Sequence, residues 1–152
     1  MSDANTPSET LSSPEAPRAA ATRDALLRIA ALVGLAVSSA LLVDYVRPAV
    51  FCADRGAGCD LVRHSHYAYP LGIPLPLLGV GYFTVMLGLS LGGRAVRLRQ
   101  ALALFGAMGA LAGLTFVGIQ GAVLRAWCLY CLAVDGSALV AGLMALSLRR
   151  DV

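Results

Sequence analysis

Four stretches of this chain, at about residues 29–46, 75–91, 101–124 and 127–148, run almost free of charge and are each long enough to cross a membrane. A transmembrane helix needs roughly 17–25 mainly apolar residues to cover a hydrocarbon core about 30 Å thick. Of the 152 residues, 58% are hydrophobic and only 14% are charged, whereas soluble domains average about 45–50% and about 25%. A water-soluble fold of this size has no interior able to hide that excess. The expected fold class is therefore an all-α membrane protein, a four-transmembrane-helix bundle with a long extracytoplasmic loop between helices 1 and 2. No nucleic-acid partner is expected. Pro74 and Pro76 suit the opening turn of the second span, because a proline's missing N–H is unpaired there anyway. Gly81, Gly88, Gly106, Gly109 and Gly113 are small enough to let helix backbones approach closely.

Residues 1–22 are rich in Ser, Thr, Pro and Ala. Such a segment buries too little apolar surface to offset its ordering entropy, and reads as a disordered cytoplasmic tail ahead of a membrane domain over 23–152. It lacks the short cationic region directly before an apolar stretch that marks a signal peptide. With both termini in the cytoplasm, the inner face carries Arg18, Arg23, Arg28, Arg94, Arg97, Arg99, Arg149 and Arg150. The outer face carries Arg47, Arg55, Arg63 and Arg125. Eight against four follows the bias of basic residues toward cytoplasmic loops. That orientation, expected in a bacterial inner (cell) membrane, puts all four cysteines on the oxidising side.

Cys128-Leu-Tyr-Cys131 is a C-x-x-C at the start of the last span. Residues three apart on a helix share a face, and the first turn offers free N–H groups and the positive dipole end. Thiols in such motifs are expected to ionise more easily than a free cysteine. Cys52 and Cys59 are separated by six residues that include Gly56 and Gly58, read as a flexible loop able to close a disulfide and to swing. A crosslink over so short a loop gains only about 2–3 kcal/mol, which suits a bond that is made and broken. Three readings compete on the residues alone: two static disulfides, a four-cysteine zinc site, and a redox relay between the pairs.

The order of motifs is a spaced cysteine pair in the first outer loop, Ser65, then Gly72-Ile73-Pro74, then Trp127-Cys128-Leu129-Tyr130-Cys131. Over residues 25–148 this resembles the bacterial branch of the vitamin K epoxide reductase family. The DsbB quinone reductases carry their C-x-x-C in the first outer loop instead and fit less well. The resemblance implies a four-helix bundle around a membrane quinone (menaquinone, ubiquinone or vitamin K-like) as electron acceptor, with no metal. By position, Cys131 is the cysteine that meets the quinone and Cys128 is its partner, attacked by Cys59. Cys52 exchanges with a thioredoxin-fold (DsbA-like) protein, expected to be separate because the chain stops soon after Arg149-Arg150. Ser65 matches a loop Ser or Thr near the active disulfide. Asp135 stands where the vertebrate enzymes have Tyr, and Leu75 where they have Asn. Both contact vitamin K there, so plain quinone reduction rather than epoxide reduction is the expectation.

Asp135 lies one turn beyond Cys131, about 10 Å along a helix from Cys128. A carboxylate inside a membrane is costly and functional by default, and delivery of a proton to the quinone is its candidate role. Tyr82, Phe83 and Trp127 are candidate quinone contacts, with the interfacial aromatic belt as the alternative for such residues. His64 and His66 read as loop residues, and Asp60 as the cap of a short loop helix. The expected function is that of a quinone-dependent thiol–disulfide oxidoreductase that supports disulfide formation in exported proteins. The rival is a membrane carrier or scaffold with structural disulfides that binds a soft metal.

Overall fold

A computed structural model describes residues 15–47, 57–93 and 95–150. The first fourteen residues and Cys52 lie outside the described residues. Five helices follow in order: α1 (Glu15–Val46), α2 (Ala57–Arg63), α3 (Leu75–Leu91), α4 (Val96–Gly118) and α5 (Leu129–Arg150). Short 3-10 turns at His66–Ala68 and Pro70–Gly72 join α2 to α3, and α4 runs on as a π-helical turn, Ile119–Leu124. Among the described residues there is no strand.

Three segments, Arg18–Val46, Val96–Leu124 and Leu129–Arg149, are helices long and apolar enough to cross a membrane, and Leu75–Leu91 is a shorter apolar helix. The outward stripe Leu104, Met108, Leu111 and Leu114 of α4 is more than half exposed at every position. An apolar face of that kind has no place in water and faces lipid. The chain is a membrane protein.

Helix α1 starts at Glu15, inside the segment read from composition as a tail. Residues 15–22 include Ala16, Ala19, Ala20 and Ala21, and alanine is the best helix former. Extending a helix that already exists costs only propagation, not nucleation, so a segment unable to fold alone continues one that is anchored. The 32 residues of α1 reach about 48 Å, well beyond the hydrocarbon thickness.

α5 packs against both α1 and α4, and α3 packs against α1. The core holds Leu27 and Ala31 of α1, Phe83 and Met86 of α3, and Ala141 and Leu148 of α5. Between α4 and α5 the close approach is made at Gly106 and Gly142, where a Cβ on Gly142 would strike the Gly106 carbonyl oxygen. Gly81 and Gly88, read as packing glycines, have nothing within 4 Å of an added Cβ. Arg28 donates to the Ser90 carbonyl (3.1 Å) and Arg99 to the Leu148 carbonyl (3.1 Å). These bonds satisfy carbonyls that the last turns of α3 and α5 leave unpaired. At the opposite end of the bundle, α2 and the 3-10 turns fold over the helix termini. There the Arg63 guanidinium lies 5.6 Å from the Tyr45 ring centroid, and Tyr69 sits 5.4 Å from the same ring.

Candidate dithiol site

Cys128 directly precedes α5 and Cys131 lies in its first turn. The Cys131 N–H points at the Cys128 sulfur, 3.4 Å away, so a backbone donor of the helix start serves the first cysteine of the motif. Cys59, on α2, brings its sulfur to 2.8 Å from that of Cys128. Both are almost completely buried, at 3% and 1% exposure, in a small cluster with Leu41. Cys128 and Cys131 are thiols.

Gly58 makes this meeting possible, and not through loop flexibility. It lies within α2, where a Cβ would collide with the Trp127 carbonyl oxygen. Only a residue without a side chain lets the helix rest on the backbone leading into the C-x-x-C, and the next residue is Cys59. Asp60, expected as a helix cap, sits in the first turn of α2 instead, and its carboxylate meets the exposed His64 ring at 3.2 Å.

The sulfurs open onto an apolar cavity between the helix ends and the covering turns. Cys59, Cys128, Cys131, Ser65 and Asp135 all line it. Ser65 is tied down by donating to the Val62 carbonyl (2.7 Å). The structure does not bring the three candidate aromatics here. Phe83 is fully buried in the bundle core against Gly34, and Tyr82 stacks on Phe105 with ring centroids 5.2 Å apart. Trp127 is 58% exposed with its ring beside Gly121, as suits an aromatic at a membrane boundary.

Six cavity residues carry no signal in the sequence. Tyr45 and Phe116 contribute rings, and Leu41 and Val134 stand among the apolar walls with them. The Ser38 hydroxyl lines the cavity fully buried and has no hydrogen-bond partner among the described residues. Gln120 is 3% exposed, accepts the Cys128 N–H through Oε1 (3.0 Å), and donates from Nε2 to an Asp135 carboxylate oxygen (3.2 Å). π-helical turns occur frequently at functional sites, and here one carries Gln120.

Cys128 lies just ahead of the apolar span Leu129–Arg149. Its thiol is pushed up from the ordinary value, first by its hydrogen bond with Cys131 and then by burial. Together these disfavour the thiolate and outweigh there the help expected from the helix start. Among the described residues, no group of three or more His, Cys, Asp or Glu is arranged to hold a metal ion.

A helical membrane bundle that presents a C-x-x-C and a third cysteine to one buried cavity defines a membrane thiol–disulfide oxidoreductase. The model of the vitamin K epoxide reductase family matches residues 25–147, most of the chain, and the chain belongs to that family. Its enzymes act in general with quinones and work with a thioredoxin-like partner. No solved structure matches the chain.

Proposed function

We propose that the chain passes two electrons from a reduced thioredoxin-fold protein, through Cys52/Cys59 and then Cys128/Cys131, to a membrane quinone. The observation that carries this reading is the 2.8 Å approach of the Cys59 and Cys128 sulfurs in the wall of a cavity that also holds Cys131. Thiol–disulfide exchange runs by attack of a thiolate on a disulfide sulfur. With Cys128 and Cys131 oxidised, attack by Cys59 on Cys128 releases Cys131 as a thiolate. Cys52 then closes onto Cys59, and the C-x-x-C is left reduced. Cys52 in turn is the cysteine that exchanges with the partner.

The cavity residues fit a quinone. Leu41, Val134 and Phe116 offer apolar faces to a ring, and the unpartnered Ser38 hydroxyl offers a donor to a ring oxygen. Bound there, a quinone accepts the two electrons and two protons of the dithiol. Asp135, on the same wall, is placed to move one of those protons, and Ser65 steadies the turn that covers the cysteines. The bundle spans the bacterial inner membrane four times, with both termini cytoplasmic and the cysteines outside. The net product is new disulfides in exported proteins.

Anaerobic mixing of the purified protein with a reduced thioredoxin-fold protein and a soluble quinone, followed by quinone absorbance, tests the reading. Quinone loss matched by partner oxidation is expected. Partner oxidation without quinone loss overturns it, as does bound metal that is lost when Cys131 is replaced.

A further inference from the structure

Gln120 is a buried amide held at both ends. A backbone N–H can only donate, so the Cys128 N–H dictates that the amide oxygen faces it. The NH₂ group is thereby turned toward Asp135, to which it donates at 3.2 Å. The Gln120 backbone carbonyl also accepts the Ala126 N–H at 3.1 Å. One residue thus ties the segment entering the C-x-x-C to the carboxyl on the cavity wall.

We infer that Gln120 is a positioning residue that holds the Asp135 carboxyl in register with the C-x-x-C, so that a proton leaving the dithiol is handed to the bound quinone. This rests on the proposed quinone reduction. In that step two S–H bonds of Cys128 and Cys131 break and one S–S bond forms. The two electrons and two protons convert the quinone's two carbonyls to hydroxyls. Asp135 carries one proton and returns to its starting state. Gln120 gives up nothing and acts only through geometry.

The arrangement cannot be assigned to another cavity group by default. Among the described residues, the titratable and charged side chains facing the same cavity are Tyr45 from α1, Cys59 and Arg63 from α2, Tyr67 from the following turn, and the C-x-x-C cysteines. α3 and the α4–π segment contribute none. Asp135 is joined to the C-x-x-C backbone through the Gln120 side chain.

The test uses full-length protein in lipid nanodiscs, with a small dithiol as donor and a soluble ubiquinone analogue as acceptor. Misplacing a reacting group by an ångström can cost about 10²-fold. Gln120→Leu is therefore expected to lower kcat by about 10- to 100-fold while KM for the quinone moves less than about threefold. Formation of the Cys59–Cys128 mixed disulfide, which needs no quinone, should stay within about threefold. Adding Gln120→Leu to Asp135→Asn should cost little more, because the bridge has no carboxyl left to hold. Additive losses, or an equal loss in the mixed-disulfide step, overturn the inference. Gln120→Glu keeps an acceptor for the Cys128 N–H and guards against a variant that fails to fold. Two carboxyls then share one site and titrate as a pair, so the pH profile of kcat must move, and an unchanged profile overturns the inference. If the wild-type protein reduces no quinone, the proposed function falls. The bridge is then read from the infrared carboxyl band of Asp135, which Gln120→Leu must shift if the contact exists.

Discussion

The sulfur of Cys59 lies 2.8 Å from the sulfur of Cys128, although 69 positions separate them in the chain and they sit on different helices. The pairing crosses from the short helix α2 to the start of α5, so the two cysteine motifs already meet before any substrate arrives. Cys131 lines the same cavity as Cys59 and Cys128.

That contact leads to a trapping experiment. In a Cys52→Ala/Cys131→Ala double variant, the two thiols able to resolve a Cys59–Cys128 bond are gone. Mild oxidation should then crosslink Cys59 to Cys128 in most of the protein, read by non-reducing peptide mapping. Such a bond needs Cα atoms about 4.4–6.8 Å apart, which the docked position of α2 must supply. Two unlinked thiols after oxidation would make the electron path wrong.

Gly58→Ala should separate the two halves of the reaction. Its methyl group drives into the Trp127 carbonyl oxygen and lifts α2. Turnover with the protein partner is expected to fall by about 10-fold or more, whereas a small dithiol that reaches Cys128/Cys131 directly keeps near-normal rates. Steady-state assays with both donors decide this, and an equal loss with each would count against the docking role of Gly58.

Bundle packing is tested at Gly142. A Cβ there meets the Gly106 carbonyl oxygen, and over-packing of this kind typically costs about 1–3 kcal/mol. Gly142→Ala should lower the unfolding temperature in detergent. Gly88→Ala, at a position with nothing within 4 Å of the new methyl, should leave it unchanged or raise it slightly, since glycine loses more entropy on folding. Reversal of that order would show that the α4–α5 contact is not close.

Sidedness needs reporters other than the native thiols, because Cys59 and Cys128 are buried. In a cysteine-free background, Leu71→Cys, at a position 99% exposed, should react with a membrane-impermeant reagent on intact spheroplasts. Gln100→Cys, on the exposed surface of the first turns of α4, should react only after the membrane is opened. Labelling of both from the same side would overturn the four-span orientation.

Much of the architecture was legible in the order of residues. Runs such as 101–124 and 129–148 are apolar over a membrane's thickness, and a helix is the only open segment that pairs all its own backbone groups there. The position of Cys128 and Cys131 at a helix start also follows from local sequence. The extent of α1 did not, since composition treats residues 15–22 alone while the structure lets them extend an anchored helix. The faces of the helices were not legible either. α3 is apolar on every side, so no periodicity tells Phe83 in the core from a ring in the cavity. Tertiary packing decided that Tyr82 and Phe83 turn inward among the helices while Tyr45 and Phe116 line the cavity. It also decided that Gly58 serves close approach and that Gln120 joins Cys128 to Asp135. Each of these is a relation between segments distant in the chain or between faces of a helix, and it exists only once the backbones have docked.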